Sequence, residues 1–240
     1  MAARGVIQSF VAFWSSVAGS IDWSAVKDAL NSTFCTSLIG ALAGAFAGAT
    51  AAQRLAERGK AHEELLKEIR NTNAATAIAF GICNNALSLK KQYVKGLKEQ
   101  YIKQLTELDE FNTKIFTGEI KKGESFWYEA NLQLIQPPLL LIDTLQTLMF
   151  ERLSIIGRPL HTLQALVSSV QTVNDSLTKR NELIEWYKSM YDGDNDGLAP
   201  YYFGQYDGKG KINKEYPSVI NAIYTSTDNT IFYSHCLGPA

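Results

Sequence analysis

The chain has 240 residues, 46 % of them hydrophobic and 20 % charged, with a formal net charge of −1. That length holds one or two domains with a full core, and the neutral balance gives no sign of a nucleic-acid partner. The three scattered cysteines, Cys35, Cys83 and Cys236, form no C-x-x-C pair, which argues against a disulfide framework and places the bulk of the chain in a reducing compartment.

In residues 1–29, Val6, Phe10, Phe13, Trp14 and Val17 follow helical spacing among serines. Trp14 and Trp23 favour the headgroup region, so this stretch reads as an amphipathic helix in the membrane interface. A first membrane span and a signal peptide ending near "SVAGS" are the alternatives.

Residues 30–52 carry no charge, the length needed to cross a hydrocarbon core of roughly 30 Å. The run "IGALAGAFAGATAAQR" places Gly40, Gly44 and Gly48 four apart, with Ala41 and Ala45 beside them. In water each glycine weakens a helix by roughly 1 kcal/mol relative to alanine. In lipid, small residues on one face let two helices approach closely, while Leu38, Leu42 and Phe46 repeat on the other face. The ridge therefore predicts a helix–helix interface and a homo-oligomer. Arg54, Arg58, Lys60, Lys67 and Arg70 follow the span, whereas Arg4 and Lys27 precede it. The positive-inside bias then makes this a single-pass protein of the inner or plasma membrane with a cytoplasmic body. The soluble alternative packs the same helix into a core.

Residues 53–190 read as a long-helix cytoplasmic α-bundle. Leu66, Asn73, Phe80, Leu87, Val94, Tyr101 and Leu108 are spaced by sevens, as are Ile69, Thr76, Cys83, Lys90, Leu97 and Gln104. This coiled-coil-like seam gives Asn73, Phe80 and Leu87 a core register, with Asn73 fixing alignment. A helix is expected from Pro137–Pro138 to a C-cap at Gly157, and another from Pro159. On the latter, Arg180 interrupts the seven-spaced row of Leu166, Val173 and Tyr187. Residues 191–240 turn rich in Gly, Asp and Tyr, and "SVINAIYTSTDNTIFYSH" suggests a short β-hairpin around "TDN".

Sites for chemistry are sparse. "DGDNDG" resembles the first half of an EF-hand loop, with Asp192, Asp194 and Asp196 ahead of Gly197. Phe203 nevertheless stands where the bidentate Glu is required, so these three are weak candidates and a solvated turn is the preferred reading. His62, His161 and His235 show no metal-site spacing, and no phosphate loop, dinucleotide fingerprint or nucleophile elbow is present. No cofactor and no enzymatic activity are expected. The chain reads as mainly α, with a membrane helix, a cytoplasmic bundle and a small irregular or hairpin region. Its function would be non-enzymatic: a self-associating scaffold, sensor or membrane effector that binds the bilayer, its own copies and a cytoplasmic protein or small ligand. The alternatives are a soluble helical binding module and an enzyme using the C-terminal Asp/Tyr-rich region.

Overall fold

The computed structural model describes residues 22–30, 32–120, 123–190, 197–206 and 210–238. It is mainly helical, and no strand occurs among the described residues, only an isolated bridge between Tyr206 and Ile212. The chain divides into two compact units, Met1–Leu65 and Leu66–Ala240.

In the first unit, α1 spans Trp23–Leu30 and opens at Asp22, whose Oδ1 accepts the Ser24 N–H at 3.0 Å. The helix α2 spans Thr33–Leu89 and so carries the unit boundary. Ser32 caps it by accepting the Cys35 N–H on Oγ at 3.3 Å. Absence of charge, proline or turn chemistry up to Ala52 lets the helix run on without a stop.

The second unit is a bundle of four antiparallel tracks. The first is the end of α2, a π-helical turn at Lys90–Val94, and α3 at Lys95–Thr117. Gly118, at φ 74°, ends α3: its N–H donates to Ile115 O at 3.2 Å and that of Glu119 to Lys114 O at 3.0 Å. This is the paired bonding of a Schellman motif, which needs the left-handed backbone glycine adopts freely. The second track returns through residues 124–141, which are non-helical, and then α4 at Ile142–Glu151. The third is α5, Arg158–Met190; a short α6, Ala199–Phe203, crosses over to α7, Glu215–Leu237. Gly204, at φ 69°, makes that crossing tight, since a Cβ there would lie 2.9 Å from Pro217 Cγ. Contacts of Cys83 with Ile231, Lys90 with Asp228 and Lys98 with Asn221 run α7 antiparallel to the first track.

Three sequence expectations are corrected. The seven-spaced seam is not one face. Leu66, Asn73, Phe80 and Leu87 are exposed, Phe80 and Leu87 by 54 % and 45 %, whereas Val94, Tyr101 and Leu108 are buried. The buried row is instead Ala75, Ala79, Ile82, Ala86 and Leu89, continuing as Val94, Leu97, Tyr101, Gln104 and Leu108. Its steps alternate four and three except for a step of five across the π turn. One extra residue there rotates the helix surface and transfers the core from one stripe to another.

The hairpin expected around "TDN" is a helix. Along α7 the buried positions are Tyr216, Ile220, Ile223, Ser226, Thr227, Thr230 and Ser234, a helical period that outweighs β-branched propensity. The hydroxyls of Thr227, Thr230 and Ser234 donate to carbonyls one turn back at 2.7, 2.9 and 2.6 Å, which removes the cost of burying them. Small hydroxyl side chains allow α5 and α7 to form the most extensively packed helix pair, with Ser169 and Ser176 buried on the α5 side.

Finally, Pro137 and Pro138 do not start a helix. They sit inside the non-helical return segment, and α4 begins only at Ile142. Proline disfavours α conformation in the residue before it, and an X-Pro-Pro sequence keeps the chain extended.

Candidate functional site

The ridge on α2 is bare. From Thr36 to Ala49 every residue is exposed, including Leu38, Ile39, Leu42 and Phe46, the last by 74 %. A Cβ added to Gly40, Gly44 or Gly48 would meet no atom within 4 Å, so the face these glycines share with Ala41 and Ala45 is open space. The hydroxyls of Thr36 and Thr50 donate inward to the helix backbone, to Ser32 O at 2.8 Å and Phe46 O at 2.6 Å. The run thus offers its surroundings apolar atoms and few free donors.

A second constellation lies inside the bundle. Arg180 is fully buried on α5, at the position where the sequence showed a charge interrupting an apolar row. Its Nη1 donates to Gln133 O at 2.7 Å and its Nη2 to Asn131 O at 3.0 Å and Asn131 Oδ1 at 3.2 Å. Among the described residues no carboxylate pairs with it, and Nε has no hydrogen-bond partner. Gln104 Nε2 donates to Glu129 O at 2.7 Å, and Tyr202 Oη accepts the Asn131 N–H at 3.3 Å. Tyr216 Oη on α7 also donates to Asn131 O at 3.5 Å, so polar side chains of four helices hold the return segment by its backbone.

Beside this clamp, Tyr101, Tyr202 and Tyr216 form an aromatic cluster, with ring centroids 4.8 Å apart for Tyr202 and Tyr216. Burial, with Tyr202 adding to it, pushes the Tyr101 hydroxyl up to about 12. Burial also raises Tyr202 and Tyr216, so all three stay neutral and act as packing groups rather than acids or bases at physiological pH. At the periphery a hydrogen bond from Lys90 to Asp228 raises the Lys90 ammonium, and burial lowers Lys98.

No group of three or more His, Cys, Asp or Glu among the described residues is placed to hold a metal. Asp192, Asp194 and Asp196 lie outside the described residues. His62, His161 and His235 are exposed and far apart along the chain. Two hollows remain. One of about 120 Å³ lies between the end of α2, α4 and Leu237, and is lined by Ala75, Leu145, Met149 and Leu153. The other, of about 350 Å³, lies beside α6 and carries Lys211 and Lys214.

Sequence reasoning singled out the glycine ridge but missed the clamp. Arg180 was its visible signal; Asn131 and Asn181, whose amide bonds both the N–H and the C=O of Ile135, carried none, because the segment they meet has a path the sequence does not specify. Comparison with protein-family models, with curated proteins and with solved structures finds no match to this chain.

Proposed function

We propose that the chain is a membrane-anchored, self-associating helical protein without enzymatic activity. Within the uncharged stretch 30–52, residues 35–52 cross the bilayer core, Gly40, Gly44 and Gly48 seat a second span, and the unit Leu66–Ala240 is a cytoplasmic binding body. The observation that carries this reading is the exposed apolar run on α2. Its length is about 27 Å at ~1.5 Å per residue, close to the hydrocarbon thickness. In water each exposed Leu or Phe forgoes roughly 1.5–3 kcal/mol of burial energy, a cost that lipid removes. The positive charges from Arg54 to Arg70 support the cytoplasmic placement.

The test is fractionation of the full chain with intact-mass measurement. Recovery in membranes after a high-salt wash, release by detergent alone, and an unprocessed N-terminal region are expected. A protein found in the soluble fraction would favour a soluble binding module. A mature chain lacking residues 35–52 would identify the apolar run as a signal sequence. Either result overturns the anchor.

A further inference from the structure

Beyond the glycine ridge, α2 stays bare: from Ala51 to Leu65 every residue is exposed, and a Cβ added to Gly59 would meet no atom within 4 Å. Its side chains are nevertheless sorted by face. Ala52, Leu55, Gly59 and His62 step by three and four, and Leu55 is 73 % exposed. Gln53, Arg54, Glu57, Lys60 and Glu64 fall on the far side, where Gln53 Nε2 donates to Glu57 Oε1 at 2.9 Å. The first stripe prolongs the ridge. At about 100° per residue, Gly44, Gly48, Ala52, Leu55, Gly59 and His62 lie within about 40° of one line along the helix. Leu66 and Ile69, also exposed, continue the spacing at the start of the second unit. Arg58 and Glu63 flank the stripe on opposite sides, and among the described residues neither forms an ion pair.

We infer that this stripe is covered by the same stripe of a second copy, so that two α2 helices leave the bilayer as a parallel coiled coil from Gly48 to His62. The inference rests on the membrane-anchored, self-associating reading, which supplies the geometry. Two copies inserted with one orientation run parallel and stand level with each other where the charges begin at Arg54. Gly48, Leu55 and His62 then take the d positions, and Ala52 and Gly59 the a positions. Arg58 stands at g and Glu63 at the following e, the two positions that meet across a parallel pair. Each Arg58 therefore faces Glu63 of the second copy, and the twofold axis makes the contact twice. The neighbouring g–e pairs are Ala51 with Ala56 and Leu65 with Arg70, so no like charges meet. A second copy supplies this complementary spacing by symmetry alone. Gly59 and His62 make the seam weaker than one of leucines, which leaves the charge pairs a measurable share of the affinity.

The test is the dimer dissociation constant of the full chain in detergent micelles, with membrane recovery scored for each variant in the same preparations. Arg58→Glu sets like charges against each other at both contacts and should weaken the dimer by about fivefold or more, as should Glu63→Arg. The double variant Arg58→Glu/Glu63→Arg should return to within about twofold of the parent. Lys60→Glu, the same charge change on the far side, should leave the constant unchanged. Normal membrane recovery with a parent-like constant in Arg58→Glu, or with no rescue in the double variant, would overturn the coiled coil and leave the anchor standing. Equal weakening by Lys60→Glu would assign the effect to net charge and overturn it too. A parent chain absent from membranes would overturn the anchored reading itself, and the inference with it, because nothing would then hold the two helices parallel.

Discussion

Asn181 exchanges two hydrogen bonds with the backbone of one residue, Ile135. The Ile135 N–H donates to Asn181 Oδ1 at 3.1 Å, and Asn181 Nδ2 donates to Ile135 O at 2.8 Å. Two residues of an antiparallel ladder bond each other in this pattern, and here a side-chain amide replaces one of them. Arg180, the preceding residue, extends the substitution to Gln133 and Asn131. The bundle thereby accommodates a non-helical track with no sheet among the described residues.

The clamp should therefore contribute measurably to stability. Asn181→Ala leaves the peptide groups of Ile135, itself buried, without partners and should lower the unfolding free energy by roughly 1–3 kcal/mol. Arg180→Lys should cost a similar amount, roughly 1–3 kcal/mol, because a single ammonium cannot span two carbonyls as the guanidinium fork does. Urea midpoints measured at constant m-value check both. A change below a few tenths of a kcal/mol for either variant would count against the clamp.

Tyr101 should behave in the opposite sense. Its hydroxyl is buried with no hydrogen-bond partner, so Tyr101→Phe removes an uncompensated desolvation and should raise stability by up to about 1 kcal/mol. Alkali tests the same environment. The hydroxyl titrates near 10 in the unfolded chain and is pushed up to about 12 in the fold. Its contribution is then complete below pH ~10 and lost as pH rises toward ~12, at roughly 1.4 kcal/mol per unit. Tyr202 and Tyr216 act in the same direction. Thermal melts between pH 9 and 12, read with tyrosinate absorbance, should show a smaller alkaline loss for Tyr101→Phe than for the parent.

The π turn predicts an unusual tolerance. Deleting Gln92, an exposed residue inside Lys90–Val94, removes the extra residue and lets an ordinary α-helix present both buried stripes. Helical content and melting temperature should stay near those of the parent. Deleting Glu99, equally exposed but outside the turn, rotates Tyr101, Gln104 and Leu108 off the core and should unfold the unit. Equal damage from the two deletions would refute the register argument.

On the ridge, Gly44→Ile adds a branched side chain where neighbouring spans would meet, and makes the segment more apolar. Membrane recovery should persist while cross-linking between the Gly40–Gly48 faces is lost. Leu42→Ile, on the far side, should leave cross-linking unchanged. Unaltered cross-linking in Gly44→Ile would remove the close-contact role of the glycines.

By itself the sequence determined the helical class, the uncharged apolar run on α2 and the restart near Pro159, because proline and charge act within a turn of where they stand. It also displayed Arg180 as a charge inside an apolar row. It did not determine which stripe of α2 and α3 is buried, since a one-residue π insertion has no local signature and changes register only through what packs on either side. Nor did it decide α7, where β-branched residues favour a strand until α5 supplies a surface with helical period. The return track is the clearest case. Pro137 and Pro138 forbid a helix at one point, but only Arg180, Asn181 and Gln104, brought together from distant parts of the chain, give the extended backbone partners and hold it in place.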